Sequence, residues 1–390
     1  MADTFFVTAY LGQPHGSAKS ARDFARALLA TRSDIGIVSP WGETFGKTAA
    51  GYDLAAPSWF RYSRRPAPRR AWLEPFSVLK TVRQELRRRL IAHAMAGASV
   101  IVNGWASYGY WKTLAATGVK RSAIIIRESP RHFKNADRPE CFEAMLAGFS
   151  EFDHLIFVSD RLRKEWSRYD ALAGKPTFYL PNCCEEEEVA LVKQTDRNRM
   201  RQRLGVIADD LMIICPGTIE KRKGQDIVLD ALPEILAAIP NARLVLLGDA
   251  GTEWGKILAE DVDMGKYGER VVHVPAQPSA LEYLHAADAL LFPSRAEAMP
   301  RTILEGMAFG MPIIATSVDG IPELIEDGVS GWLFDPADSA RMMAGLRWVA
   351  SQPEAASKLA LAAERRYQEF FSRSRQIERV GALLSWLDVD

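Results

Sequence analysis

The chain lacks the features that mark several classes of protein. None of its apolar stretches approaches the roughly 18 residues needed to cross a bilayer. Residues 1–10 carry no basic region and no cleavage site after an apolar core, so no secretory signal is expected. Basic and acidic residues number 49 each, and this zero net charge disfavours a dedicated nucleic-acid binder. Together these absences predict a cytoplasmic protein with no nucleic-acid partner.

Cysteine is scarce as well. The four cysteines are too few for a disulfide framework in a chain of 390 residues. No Cys-x-x-Cys motif or His/Cys cluster is present, so no metal site is predicted. The cysteines are Cys141, Cys183, Cys184 and Cys215.

What the chain does contain is an α/β pattern. With 390 residues two domains are expected, and a hydrophobic content of 48% excludes a disordered chain. Short apolar runs alternate with helical patterns such as residues 18–29 and 225–239, which is typical of doubly wound parallel sheets. The predicted strands are residues 4–10, 35–39, 99–103, 122–127, 154–159, 177–180, 211–215, 242–247, 271–274, 289–292, 312–316 and 332–334.

Two segments interrupt this pattern. Pro233 lies inside the apolar stripe of residues 225–239, so we expect a kink or a late helix start there. Residues 184–202 are dense in charge and indicate a linker between two similar sheets, with a solvated helix start as the alternative. The sequence therefore predicts a first domain over residues 1–184 and a second over residues 185–372.

The strongest chemical signal is a pair of glutamates, Glu297 and Glu305. Glu297 follows the predicted strand 289–292 in a loop, and Pro300 suits the first turn of the next helix. A helix start offers free N–H groups and a partial positive charge, which suits a phosphate. Glu297 can accept hydrogen bonds from sugar hydroxyls, and Glu305 can hold a ribose diol. The alternative is that Glu297 caps the helix and Glu305 is a solvated helix residue.

A basic turn follows the predicted strand 211–215. Gly217 permits a tight turn there, and three successive cations stand close to it, Lys221, Arg222 and Lys223. This local charge suits a diphosphate. A solvated basic turn is the alternative.

The loop after the first strand, residues 11–19, is a weaker candidate. Gly12 and Gly16 would let backbone amides approach a phosphate, and Ser17 can cap the next helix. The loop is neither a Gly-x-Gly-x-x-Gly motif nor a P-loop, so an ordinary strand-to-helix turn is the alternative.

In combination, residues 211–336 resemble the C-terminal domain of retaining glycosyltransferases of family 4, which have the GT-B fold. Any single piece is unspecific, whereas the combination is specific. The N-terminal half matches more loosely, through the Gly16 loop, Val158-Ser159 and Leu180 to Asn182. The pieces that match in the family's order are Gly217 with Lys223 and Gly224, Leu244 to Gly248, Ala287 to Ser294, Glu297 with Glu305, Gly306 to Pro312, Gly320 to Ile325 and Gly328 to Leu333.

The resemblance implies two Rossmann-like domains facing a central cleft, with a C-terminal helix, 373–390, crossing back to the first domain. It also implies a nucleotide diphosphate sugar as donor and no required metal. By position, Glu297 would contact sugar hydroxyls, Glu305 the ribose and Lys223 the diphosphate. The other donor-binding residues it implies are Gly16, Gly217, Thr218, Met299, Pro300, Arg301 and Thr302.

The resemblance further implies retention of the anomeric configuration. In a front-face mechanism the leaving phosphate takes the acceptor's proton, so no protein base is needed. This agrees with a sequence that offers no obvious nucleophile–base pair. Cations and the helix start would stabilise the charge that develops on the leaving diphosphate.

Two departures from the family pattern bear on the site. Thr218 stands where many members carry arginine after the glycine of the phosphate turn, and we expect Arg222 to take over part of that work. Where many members have histidine after the fourth or fifth strand, this chain reads Arg127-Glu128. Glu128 is therefore a candidate contact to the acceptor or donor sugar.

Residues 57–90 form a basic, aromatic segment. Ten lysines and arginines stand there against two glutamates, with Trp59 and Trp72 as candidates for interfacial insertion. This composition suits an anionic membrane surface, an anionic glycan or a lipid diphosphate, although nucleic acid would also fit. The alternative is a solvated helix with a basic loop before it. Further along, Trp105 could stack on an acceptor sugar, with aromatic core packing as the favoured alternative.

We therefore predict a GT-B retaining glycosyltransferase with a glycan or lipid-linked acceptor. Its expected place is cell-surface polysaccharide or glycolipid assembly, in the cytoplasm and peripherally at the inner membrane face. The alternatives are a GT-B-like nucleotide-sugar epimerase and a catalytically weak nucleotide-sugar-binding scaffold, the latter motivated by Thr218.

Overall fold

The chain divides into two compact units. A computed structural model describes residues 3–8, 16–39, 59–61, 86, 89–114, 118–131, 139–277 and 279–388. The first unit comprises residues 1–182 and 376–390, and the second residues 183–375. The boundaries expected from the sequence were residues 184 and 372.

The first unit contains a seven-stranded sheet in which neighbouring strands pair in parallel. Its strands are β1 Thr4–Val7, β2 Ile35–Ser39, β3 Trp59–Arg61, β4 Ser99–Asn103, β5 Arg121–Ile126, β6 His154–Phe157 and β7 Thr177–Tyr179. Their spatial order is β3-β2-β1-β4-β5-β6-β7. The direction of winding reverses between β1 and β4, and in such sheets ligands bind at the carboxyl ends of those strands.

Strand β3 was not predicted. For residues 57–90 the sequence analysis gave a solvated helix with a basic loop before it as the alternative to a binding surface, whereas Trp59–Arg61 pairs in parallel with residues 37–39 of β2. A strand of three residues that ends in arginine offered no apolar run to recognise. Trp72 and most of the segment 57–90 lie outside the described residues.

The second unit contains a six-stranded sheet, also paired in parallel. Its strands are β8 Leu211–Pro216, β9 Ala242–Leu247, β10 Val271–Val274, β11 Ala289–Phe292, β12 Ile313–Thr316 and β13 Trp332–Phe334. Their order is β10-β9-β8-β11-β12-β13, so the winding reverses between β8 and β11. The buried faces of these strands are continuously apolar, as the sequence predicted for parallel strands covered by helices.

Helices alternate with these strands, which confirms the predicted α/β class. No helix within the described ranges is long and apolar enough to cross a membrane. The helices are α1 Gly16–Thr31, α2 Trp105–Leu114, α3 Pro139–Ser150, α4 Asp160–Trp166, α5 Glu186–Lys193, α6 Arg197–Arg203, α7 Gln225–Asp230, α8 Leu232–Ala238, α9 Glu253–Asp263, α10 Leu281–Ala286, α11 Arg301–Phe309, α12 Ile321–Leu324, α13 Ser339–Ser351, α14 Pro353–Phe370 and α15 Arg373–Asp388.

The predicted linker 184–202 is not a linker. It contains α5 and most of α6, both within the second unit. Asp196 starts α6 by accepting a hydrogen bond from the backbone N–H of Asn198 (2.9 Å). Arg201 is buried and pairs with Asp288 (2.8 Å). The charges that suggested a solvated connection therefore include ion pairs that anchor these helices, and the helical alternative is the correct one.

The predicted kink near Pro233 is confirmed. The helical pattern of residues 225–239 is divided at Ala231 into α7 and α8, and Pro233 stands in the first turn of α8. Proline has no N–H to donate, so the chain starts a new helix there instead of continuing the old one.

Helix α15 contributes to the first unit from Gln376 onwards. Near its end, Asp388 pairs with Arg32 (2.8 Å), and the backbone oxygen of Leu387 accepts from Arg121 Nη1 (2.6 Å). The Trp386 ring lies edge-on to His154 of β6 (4.7 Å between centroids). The end of the described chain thus packs on the same sheet as β1.

Candidate active site

The loops that follow β8 and β11 are joined at the carboxyl edge of the second sheet. The backbone N–H of Arg295 donates to the carbonyl of Arg222 (2.7 Å), and its Nη1 donates to the carbonyl of Lys221 (2.5 Å). The Arg295 guanidinium also pairs with Asp226 (2.8 Å). Because β8 and β11 are the strands at which the winding reverses, these loops occupy the usual ligand position of such a sheet.

Glycine is required where the backbones approach one another. Gly224 has φ +74°, and a Cβ there would lie 2.0 Å from the carbonyl oxygen of Pro293. Gly248 has φ +153°, and a Cβ there would lie 2.2 Å from the carbonyl oxygen of Gly217. The turn that holds the cations is therefore packed directly against the loop that holds Glu297.

Glu297 receives two cations on one oxygen. Lys223 Nζ and Arg222 Nη1 (2.9 Å) both donate to its Oε1, and Ser294 Oγ donates to the same atom (3.3 Å). The Glu297 side chain is 11% exposed and that of Lys223 15%. Each hydrogen bond that the described residues make to this carboxylate ends on Oε1, so Oε2 retains its capacity to accept.

The cations keep Glu297 ionised. Burial by itself raises the pKa of this carboxyl, but Lys223 and Arg222 outweigh burial and hold the pKa below its ordinary value. Burial likewise tends to lower the pKa of Arg222, while Glu297 and Glu220 raise it further. Arg222 reaches Glu220 through Nη2 (2.6 Å). The cluster is thus an internally compensated set of two cations and two carboxylates.

The start of helix α11 has no side-chain cap among the described residues. Pro300 occupies the N-cap position, and no acidic residue lies in the first turn. Pro300 thus stands one residue before the position that the sequence analysis gave it. Met299 and Arg301 are buried, and Thr302 is half-buried. The first-turn amides present the partial positive charge that suits an anion.

Glu305 is not the solvated helix residue of the alternative interpretation. It is 6% exposed, and its Oε1 lies 3.7 Å from Arg301 Nη2. Arg301, also buried, donates through Nη1 to the carbonyl of Cys183 (3.0 Å). The alternative role of Glu297 as a helix cap is also wrong, since Pro300 occupies that position.

Thr218 is exposed next to Gly217, and the turn is anchored through its main chain. The fully buried Gln225 donates from Nε2 to the carbonyl of Thr218 (3.1 Å) and to that of Gly217 (3.3 Å). The sequence analysis did not single out Gln225. A polar side chain at the start of a helix that follows a glycine turn was the available signal.

In the first unit, Glu128 and Trp105 have local partners. Glu128 Oε1 accepts from the backbone N–H of Trp105 (2.8 Å), and Oε2 accepts from that of Arg127 (2.9 Å). Burial raises the pKa of Glu128, and these two hydrogen bonds only partly offset the effect. The Trp105 ring stacks on Tyr108 (4.7 Å between centroids). Their predicted roles toward a sugar stay predictions, and Gly16 begins α1 after a loop outside the described residues.

The sequence analysis missed a polar network at the carboxyl edge of the first sheet. Arg127 donates through Nε to Asn103 Oδ1 (3.0 Å) and through Nη1 to Asn182 Oδ1. Asn103 in turn donates to Thr8 Oγ1 (3.3 Å). These residues stand at or just after the ends of β4, β5, β7 and β1. A polar residue at the end of several buried strands was the signal in the sequence.

Within the described part of the chain, no group of three or more His, Cys, Asp or Glu side chains could hold a metal ion. Asp261 and Asp263 form an Asp-x-Asp pattern, but they do not belong to a group of this kind. Both lie in α9, where Asp261 pairs with Lys266 (2.5 Å) and Asp263 lies 3.6 Å from His273.

A cavity of about 550 Å³ lies in the second unit at the opposite, amino-terminal edge of the sheet. Leu211, Asp288 and Pro312 line it where β8, β11 and β12 begin. It includes none of the predicted site residues, and the Glu297 cluster stands at the other end of the same strands.

The fold belongs to the GT-B class, as predicted. The chain superimposes on sucrose-phosphate synthase from Thermosynechococcus elongatus with a TM-score of 0.76 at 19% identity, covering 99% of each chain. It matches Anabaena Alr3699/HepE, solved in complex with UDP-glucose, with a TM-score of 0.75 at 19% identity, covering 98% of this chain and 99% of that one. At this identity the likeness defines the fold.

A family model matches most of the second unit. Residues 196–366 match the model of the glycosyl transferases group 1 family. A D-inositol 3-phosphate glycosyltransferase of Acidothermus cellulolyticus is 32% identical over 164 residues, which are 40% of this chain and 36% of that protein. A GDP-mannose-dependent monoacylated alpha-(1-6)-phosphatidylinositol monomannoside mannosyltransferase of Corynebacterium glutamicum is 28% identical over 186 residues, 45% and 47% of the two chains. The chain thus spans about a third to a half of the length of such relatives.

Proposed function

We propose that this protein is a retaining glycosyltransferase that moves a sugar from a nucleotide diphosphate sugar to a glycan or lipid-linked acceptor. The observation that carries the proposal is the cluster of Glu297, Lys223 and Arg222 at the reversal point of the second sheet. The match of residues 196–366 to the model of the glycosyl transferases group 1 family supports it.

The cluster has hydrogen-bonding capacity left for a diphosphate. Lys223 carries three N–H donors and uses one of them on Glu297. The start of α11, which no described side chain caps, adds first-turn amides to the same edge of the sheet. When the bond between the sugar and the diphosphate breaks, negative charge grows on the leaving group. Fixed cations and amides stabilise that charge without reorganising.

Glu297 suits the sugar side of the reaction. Its lowered pKa keeps it ionised at neutral pH, so it is a poor proton donor and a good acceptor for sugar hydroxyls. Its Oε2 takes no hydrogen bond from the described residues. A buried carboxylate also stabilises the positive charge that a sugar ring develops as its anomeric bond breaks. Glu305 would hold the ribose from inside α11.

The chemistry needs no further protein base. In the front-face mechanism, the anomeric C–O bond to the diphosphate breaks and a bond forms from the acceptor oxygen on the same face. The acceptor's proton passes to the leaving phosphate oxygen, which balances charge and keeps the anomeric configuration. Lys223 and Arg222 carry out the neutralisation, so the proposed reaction requires no metal.

Donor turnover is the direct test of this proposal. Purified protein is incubated with UDP-, GDP-, ADP- and dTDP-sugars, and released nucleoside diphosphate and the anomeric configuration of the product are measured. We expect turnover with one donor and a product of retained configuration. Isomerised donor without transfer would indicate an epimerase, and tight nucleotide binding without turnover would indicate a scaffold. Either result contradicts the proposal.

The proposed setting is cell-surface polysaccharide or glycolipid assembly at the cytoplasmic face of the membrane, with residues 57–90 on an anionic surface. The ten cations and the aromatic residues of this segment support it, since each basic side chain near such a surface contributes about 1 kcal/mol. We expect flotation with vesicles containing phosphatidylserine to be lost when Arg64, Arg65, Arg69 and Arg70 are all replaced by glutamate. Binding of the quadruple variant at the wild-type level would remove the membrane from the proposal, and neutral vesicles are the control.

A further inference from the structure

The main chain of Glu297 is held on both sides by one turn. Its backbone N–H donates to Asp319 Oδ2 (2.7 Å), and its backbone carbonyl accepts from the N–H of Gly320 (3.1 Å). The two residues of the turn follow β12, the strand that neighbours β11. A residue from the next loop along the sheet therefore fixes the peptide groups on either side of Glu297.

Asp319 adopts an unusual conformation to do this. Among the described residues it is the one non-glycine residue with a positive φ (+41°). It is also 4% exposed, which is rare for an aspartate. The left-handed region is unfavourable for side chains with a Cβ, and aspartate and asparagine are the residues that tolerate it. Such a conformation persists where the surroundings impose it, commonly at functional sites.

The same strand end also supports the carboxylate. Thr316, the last residue of β12, donates from Oγ1 to the carbonyl of Ser294 (2.6 Å). Ser294 donates from Oγ to Glu297 Oε1 (3.3 Å). The loop after β11 is thus fixed at Ser294 to the end of β12 and at Glu297 to the loop after β12.

We propose that Asp319 is a positioning residue of the transfer reaction. It fixes the Glu297 main chain so that Oε1 meets Lys223 and Arg222 while Oε2 is left for the donor sugar. Asp319 itself does not touch the donor in this assignment, and the inference rests on the proposed function. Free movement of this loop would detach the carboxylate from the sugar but leave the diphosphate contacts of Lys223 in place.

Two substitutions separate the hydrogen bond from the backbone conformation. Asp319→Asn keeps an acceptor oxygen and tolerates positive φ, whereas Asp319→Gly removes the acceptor and adopts positive φ without strain. We expect Asp319→Gly to lower kcat by about 10- to 100-fold, the effect of a misplacement of roughly 1 Å, with donor KM nearly unchanged. We expect Asp319→Asn to restore kcat to within about threefold of wild type, because the acceptor is kept.

The measurements are kcat and KM with the donor that wild type uses, the affinity for its nucleoside diphosphate by calorimetry, and circular dichroism for folding. If Asp319→Gly does not fold, Thr316→Val replaces it, because this change removes the hydrogen bond to the Ser294 carbonyl, the other contact that holds this loop, and leaves the backbone at residue 319 unaltered. Wild-type kcat in a folded Asp319→Gly, or equal loss in Asp319→Asn, overturns the inference while the proposed function stands. Absence of donor turnover by the wild-type protein overturns the proposed function instead.

Discussion

Glu297→Gln is expected to lower kcat by about 100- to 1,000-fold, the usual loss when a preorganised charge is removed from a reacting centre. Glutamine keeps the shape of the side chain and an acceptor oxygen, but it no longer carries the charge that balances the sugar ring in the transition state. Affinity for the nucleoside diphosphate should be equal to that of wild type or tighter, because Lys223 and Arg222 lose a competing anion. Steady-state kinetics and calorimetry measure the two effects separately.

Glu220→Gln is the matched control. Glu220 pairs with the same guanidinium, that of Arg222 (2.6 Å), and its side chain is 23% exposed. Removing its charge perturbs Arg222 without altering the carboxylate assigned to the sugar. Since a partly exposed pair contributes about 1 kcal/mol at most, we expect a change in kcat of about fivefold or less. Equal kcat losses in the two variants, or wild-type kcat in a folded Glu297→Gln, would refute the role given to Glu297.

The difference in stability between wild type and Glu297→Gln is expected to depend on pH. The pKa of Glu297 is lower in the folded state than in the unfolded chain, because Lys223 and Arg222 outweigh burial. Its stabilising contribution is therefore complete above the ordinary glutamate pKa and is lost as pH falls through the folded pKa. At neutral pH the free energy of unfolding of Glu297→Gln should be about 2 kcal/mol lower than that of wild type, and this difference should shrink on acidification. Urea titrations at several pH values test it.

Gly224→Ala is expected to have the second large effect. A Cβ at this residue would lie 2.0 Å from the Pro293 carbonyl oxygen, so the turn and the loop after β11 must move apart. We expect a loss of about 3 kcal/mol in unfolding free energy from the combined clash and backbone strain. Because Lys223 is the preceding residue, kcat should fall as well, by about 100-fold for a displacement of roughly 1 Å.

Gly268→Ala isolates the backbone contribution. Gly268 has the same φ of +74°, but no atom lies within 4 Å of the position where its Cβ would be. Its substitution should cost only the left-handed strain, about 1–2 kcal/mol, and leave kcat unchanged. Thermal denaturation measures both variants. If Gly224→Ala is as stable as Gly268→Ala, the close packing of the Gly224 turn against the loop after β11 is not important for the fold.

Most strands could be predicted because hydrophobic runs determine them. Residues 242–247, 271–274 and 289–292 are strands with the bounds predicted, since each run is mostly apolar. Burial of both faces of a parallel sheet requires such runs. Where charge dominated the pattern, as at residues 184–202, the prediction was wrong. Partners such as Asp288 for Arg201 come from distant parts of the chain.

The members of the candidate site were predictable, but their mutual contacts were not. Gly217, Lys223 and Glu297 were each placed at a strand end from local sequence alone. The pairing of Lys223 with Glu297 depends on β8 being next to β11, a strand order that no local pattern specifies. Asp319 escaped notice for the same reason, because its significance lies in a hydrogen bond to a residue in another loop and in a backbone angle.

The division of the chain into two units also determines which parts of the protein can be produced separately. The second unit is one uninterrupted stretch, residues 183–375, inserted into a first unit made of two separate pieces. Two cuts would therefore excise the second unit with the whole Glu297 cluster inside it. The first unit could be obtained alone only by joining residue 182 to residue 376, and because both residues are buried, such a junction must preserve their packing.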